Sequence, residues 1–280
     1  MGIITFFKKF KCIITSFCIS ATVVIVVFGA NYLLQRFYAH KNVPFVPTYE
    51  KVNLTPETDY ETIFLQTGLG RQAVDKLILE ERFDAVLEAQ EIFFTESQIE
   101  CAPMFGWFTR EDRLGDSDSI PFADLQTGDI ILTLSTHSGG WRHGHAGIVI
   151  DEYTILECQM MGTESSLEGI YYWGNYSNYA VLRVKDITSL QQEEVVDYCL
   201  ETLRGIPYNL FSGIFGDKAP DSENENFGLY CTNLIWYAWN HFGIDLDSDG
   251  GRIVSSYDIL NSDKLEIVQL YGIDPTEFIK

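Results

Sequence analysis

The pattern of apolar and polar positions changes character several times along the chain. "CIITSFCISATVVIVVFGANYLL" (12–34) runs for 23 residues without a charge. At 1.5 Å per residue, a helix of that length crosses a hydrocarbon layer about 30 Å thick. The following stretch, with three prolines and no periodicity, predicts a linker over 35–59. From Tyr60 the spacing becomes helical. Ala73, Val74, Leu77 and Leu79, then Phe83, Val86, Leu87 and Ile92, predict two or three helices in an appendage over 60–115.

Beyond residue 115 short apolar runs alternate with turns. "DIILTLS", "HAGIVID", "YTILECQ" and "YAVLRVKD" are rich in β-branched residues and follow one another closely, which predicts an antiparallel sheet. "SLQQEEVVDYCLETLRG" and "YCTNLIWYAWNHFG" predict amphipathic helices closed by Gly205 and Gly243. The expected class for 116–280 is therefore α+β.

Charge sharpens the picture of the N-terminus. Lys8, Lys9 and Lys11 precede the apolar run, and residues 1–41 contain no acid. This predicts a cytoplasmic segment over 1–11, a retained signal anchor over 12–34 and an exported remainder, hence a single-pass protein of the cell membrane. All 40 acidic side chains and 14 of the 19 basic ones fall in the other 239 residues, a balance of −26. Such a body repels nucleic acid, which is excluded as a partner. Six cysteines without CxxC or Cys/His spacing indicate neither structural zinc nor a disulfide scaffold. "DLDSDGGRIVSS" (245–256) opens like a calcium loop but has Ser256 at the twelfth position, where a bidentate acid is needed; it reads as a solvated turn.

Candidate chemistry comes from two distant stretches. Cys231 stands in the first turn of a predicted helix, where unpartnered N–H groups and the helix dipole favour a thiolate. In "HGHAGIV" (143–149), His145 opens a predicted strand. Glu157 lies among apolar residues of the next strand, where an unpaired carboxylate costs several kcal/mol and an imidazole is a suitable partner. Side chains alternate along strands, so the two share a face of a hairpin only if its turn has an odd residue count. A two-residue turn at Glu152-Tyr153 would instead place Cys158 on the face of His145.

"LQTGDIIL", "HGHAGIVI", "ILECQ", "GIPYNLF" and "YCTNLIWYAW", in that order, resemble the motifs of the permuted papain-like cysteine hydrolases. These are YiiX/YebB-like relatives of the NlpC-type cell-wall peptidases, to which lecithin retinol acyltransferase is also related. The resemblance covers about residues 120–262. It implies a circularly permuted papain-like domain with an antiparallel sheet on helices, with Cys231 as nucleophile, His145 as general base and Glu157 as third member. It implies a peptide or acyl-amide substrate and requires no metal and no cofactor. Tyr208 and His143 are expected to line the cleft. Thr232-Asn233 depart from the Ser-Glu pair more often found after the cysteine, which bears on substrate preference. Cys158 is expected to face the core, and Cys101 and Cys199 to serve packing.

Overall fold

A computed structural model describes residues 13–30, 44–105, 108–114, 121–138, 141–223 and 227–279. The N-terminal helix α1 (Ile13–Ala30) is long and apolar enough to cross a membrane, and it is exposed along its length. The rest of the expected 12–34 span, and the expected cytoplasmic 1–11, lie outside the described residues.

Residues 44–59, expected to be part of a linker, are bound to the fold instead. Pro44, Pro47 and Leu54 are buried. The Phe45 N–H donates to the Gly272 carbonyl at 3.1 Å, and the Val52 N–H to Gln66 Oε1 at 3.0 Å. The internal hydrogen bonds of this strip join Thr55 and Thr58 near its end, and borrowed partners of this kind hold the rest. Helices α2 (Tyr60–Thr67), α3 (Arg71–Leu79) and α4 (Phe83–Phe93) follow, three where two or three were expected. Asp59 caps α2 by accepting from the Thr62 N–H at 2.9 Å.

The appendage is not helical to residue 115. Strands β1 (Gln98–Phe105) and β2 (Phe108–Leu114) form a hairpin, and β2 pairs with β4 (Thr136–Ser138), which pairs with β5 (Trp141–Arg142). A four-stranded antiparallel sheet thus spans the expected boundary. The reason is a polar interior. Glu111 of β2 is wholly buried, and the Arg142 guanidinium donates to it at 2.8 Å, the Ser177 hydroxyl at 3.1 Å. Nε2 of buried His137 stands 3.1 Å away, poorly aligned for a hydrogen bond.

The main sheet has six antiparallel strands in the order β10-β9-β3-β6-β7-β8. These are β3 (Ile130–Thr133), β6 (His145–Val149), β7 (Thr154–Glu157), β8 (Ser166–Gly169), β9 (Tyr179–Val184) and β10 (Leu265–Tyr271). Both faces are covered. Leu132, Ala146, Ile148, Leu156 and Leu182 face a core shared with α5 (Ser189–Tyr198), α6 (Cys231–His241) and α7 (Ser256–Leu260). Ile131, Val149, Ile155 and Val181 face α2–α4 and the 3-10 turn Ile170–Asn175. Burial on both sides explains the continuous apolar runs read in the sequence.

Candidate active site

His145 begins β6 at one end of the sheet, 5 % exposed. Gly147 pairs with Glu157 and Val149 with Ile155, and the Ile150 N–H donates to the Thr154 carbonyl at 2.9 Å, leaving Asp151-Glu152-Tyr153 as the turn. Three is odd, so His145 and Glu157 fall on one face, and Nε2 and Glu157 Oε2 are 3.0 Å apart. Cys158 falls on the other face, wholly buried, with its thiol 3.4 Å from the Leu229 carbonyl. Burial, with Cys231 and Glu157 nearby, pushes the Cys158 thiol well above its ordinary range.

The backbone reaches His145 through Gly144, at φ +75°. A Cβ there would lie 2.2 Å from Ser256 Oγ and 2.7 Å from the Thr133 carbonyl oxygen. Glycine is therefore the residue that lets α7 and β3 close on the loop. The glycine between the two histidines sets the course of the chain, and the two rings meet different fates. His143 is partly buried, with Nδ1 2.7 Å from the Gly144 carbonyl and Phe108 and Trp141 edge-on to its ring. Burial depresses its pKa to about 4, with His145 and His137 adding to the effect. Such a ring is neutral and apolar in behaviour at pH 7.

Glu157 is wholly buried, which by itself favours the neutral acid. Its partners outweigh that. His145 stands beside it, the Tyr172 hydroxyl donates to Oε2, and Gln159 Nε2 donates to Oε1 at 2.5 Å; together they hold the carboxyl below its ordinary range. His145 is treated alike. Burial alone would lower its pKa, but the Glu157 charge, and hydrogen bonding to Cys231 and Glu157, raise it to about 10. The Cys231 side chain is thus a neighbour of the ring, and with Nε2 engaged by Glu157, Nδ1 is the nitrogen left for sulfur.

Trp173 completes the pocket. It is fully buried and lies parallel to His145, with ring centroids 5.2 Å apart and planes at 14°. Neither Trp173, Tyr172 nor Gln159 was among the residues expected from sequence. The signal for Tyr172 and Trp173 is the aromatic run "YYWGNY" (171–176), which has no period linking it to β6.

Cys231 occupies the first turn of α6, after Tyr230 in extended conformation with no side-chain cap. The first helical bond runs from the Leu234 N–H to the Tyr230 carbonyl at 2.8 Å. α6 packs on β6, which brings the thiol to the end of the sheet where His145 lies. Thr232 and Asn233 are both buried and have structural bonds: Thr232 Oγ1 donates to the Val254 carbonyl at 2.6 Å, and Asn233 Nδ2 to the Lys218 carbonyl at 3.2 Å. Tyr208 is partly buried, and burial with Cys231 and Cys158 nearby drives its hydroxyl well above the ordinary range.

The five cysteines among the described residues are all free thiols. Cys199 is buried, with its pKa raised to about 12 by burial, and Cys101 is partly buried with its thiol also shifted up, by burial first. The carboxylate oxygens of Asp247, Asp249 and Asp258 lie within 4.8 Å of one another. The Lys218 ammonium pairs with Asp247 there and donates to the Gly251 carbonyl at 3.0 Å, so a cation already sits on this loop.

No family model matches this sequence, and no curated protein is similar to it by sequence comparison. Among solved structures the chain is similar to that of the metalloprotein YiiX from Escherichia coli O157:H7, with 17 % identity and a TM-score of 0.37, over 51 % of this chain and 96 % of that one.

Proposed function

We propose that the chain is a membrane-anchored cysteine hydrolase with a circularly permuted papain-like domain outside the cytoplasm. One observation carries this reading: a buried imidazole is paired with a buried carboxylate at 3.0 Å and has, as its other charged-group neighbour, the thiol at the start of α6. Three roles are thereby available on adjacent groups: nucleophile, general base and orienting acid.

The chemistry is acyl transfer in two steps. Cys231 attacks as the thiolate, its proton held on the His145 imidazolium at Nδ1: sulfur bonds to a substrate carbonyl carbon, and the carbon–nitrogen bond breaks as His145 gives that proton to the leaving amine. Water then gives a proton to His145 and its hydroxide to the thioester. The products are a carboxylic acid and the restored thiol. Glu157 fixes the ring so that Nδ1 faces sulfur and stabilises the imidazolium. Trp173 closes the opposite ring face to water. The Cys231 N–H is the nearest backbone donor for the oxyanion.

The substrate proposed first is an amide bond in cell-envelope peptides. An acyl amide or lipid is the second reading, favoured by the exposed apolar side chains Ile253 and Tyr257 on the segment that bonds Tyr230 and His143. The test is Cys231→Ala. It should abolish labelling by an iodoacetamide-type probe at this position and lower turnover of peptide or acyl-amide substrates by several orders of magnitude, while the thermal transition moves by only a few degrees. Undiminished turnover would refute the assignment.

A further inference from the structure

Five large apolar side chains, Trp141, Phe211, Phe215, Ile253 and Tyr257, are exposed on segments that contact the loops before β6 and α6 or one another. Hydrogen bonds and ring contacts tie them to one end of the domain. Trp141, 62 % exposed, lies edge-on to His143 at 5.9 Å between ring centroids. The His143 carbonyl accepts from Ser256 Oγ at 2.9 Å, which sets Tyr257 beside the same loop. The Val254 N–H donates to the Tyr230 hydroxyl at 2.7 Å, so Ile253 flanks the start of α6. Phe211 and Phe215 contact each other at 5.5 Å in the loop after Tyr208, and that loop touches the Arg252 backbone at Gly213.

The N-terminal segment joins the fold at this same end. β10 ends at Tyr271 opposite the start of β9, and β3 ends at Thr133 opposite His145. Phe45 is bonded to Gly272, three strands across from β6, which is about 14 Å at the usual strand spacing. Thirteen residues lie between Ala30 and Pro44, and such a length reaches at most about 45 Å. An apolar rim and the attachment of an apolar helix thus share one end of the molecule.

We propose that this rim seats at the boundary between headgroups and acyl chains of the bilayer that holds α1, so that substrate carbonyls reach Cys231 from that boundary. The proposal rests on reading α1 as an anchor. Aromatic side chains suit this layer, where an apolar body and a polar edge are both accommodated. Charge selects the lipid: a body at −26 is repelled by anionic surfaces, so the contact is with zwitterionic lipid.

The test uses the full chain in phosphatidylcholine nanodiscs made with or without brominated acyl chains. Phe215→Trp adds an indole to the rim. Tyr153→Trp adds one to the β6–β7 turn, at the far end of the sheet. Brominated lipid should quench the added emission of Phe215→Trp by about half or more and leave that of Tyr153→Trp nearly unchanged. Equal quenching at both, or none at either, overturns the proposal. So does absence of quenching combined with a raised KM for a peptide substrate in Phe215→Ser, which would make the rim a peptide subsite. Quenching that persists in Cys231→Ala separates the docking from the catalytic reading, since it needs no turnover.

Discussion

His145 carries a charge that its burial opposes, and Glu157 is what makes that charge stable. The sign of the resulting pH dependence follows from the raised pKa. In the unfolded chain the imidazole titrates near 6.5, and in the fold at about 10. The stabilisation is therefore complete below about 6.5 and declines as pH rises toward 10. Glu157→Gln should flatten this alkaline decline in denaturant-unfolding curves and cost about 2–4 kcal/mol near neutrality. Turnover should fall about 10²- to 10⁴-fold, because the ring loses both orientation and counter-charge. An unchanged alkaline limb in the variant would show that the pair does not set it. At this scale the sequence was informative. A carboxylate in an apolar strand predicts a partner, while the parity of the turn, on which the choice of His145 depends, is fixed only by the strand pairing in the fold. Tyr172 and Trp173 were hidden because they meet Glu157 and His145 through tertiary contacts, which no local spacing encodes, whereas Gln159 follows Glu157 at the i, i+2 spacing of one strand face.

At the level of elements, the loop before β6 is the part most tightly specified. Gly144 combines a left-handed backbone with contacts that leave no room for a methyl group. Gly144→Ala should destabilise the domain by about 2–4 kcal/mol in chemical denaturation, through strain and overpacking together. It should also lower turnover, since the displaced loop carries His145; a fully stable and active variant would contradict this geometry. The central strands and α6 were legible because their faces are apolar with clear periods. Strand β2 was not. Its inward positions include Thr109 and Glu111, so the pattern of a buried strand was written in polar residues. Arg142 and Ser177, distant in sequence, are what make that burial tolerable. The proline-rich segment 44–59 misled for a similar reason: composition describes its stiffness, and its docking depends on Gln66, Gln90 and Gly272 elsewhere.

For the molecule as a whole, the class expected from sequence, α+β with antiparallel pairing and an apolar N-terminal helix, describes the architecture. The division at residue 115 does not, because the four-stranded sheet crosses it. The helices α2–α4 and the turn carrying Trp173 cover one face of the main sheet, while α5–α7 cover the other. The candidate site lies at the edge of both layers, with the imidazole reached from one face and the sulfur from the other. The flat contact between Trp173 and His145 has an optical consequence. A protonated imidazole against an excited indole dims its emission, and a neutral one does so much less. Intrinsic fluorescence should therefore brighten as alkali removes the ring proton near pH 10, a step missing from Trp173→Phe and displaced after Cys231 is alkylated. The protein would then report the ionisation of its own site without any substrate present.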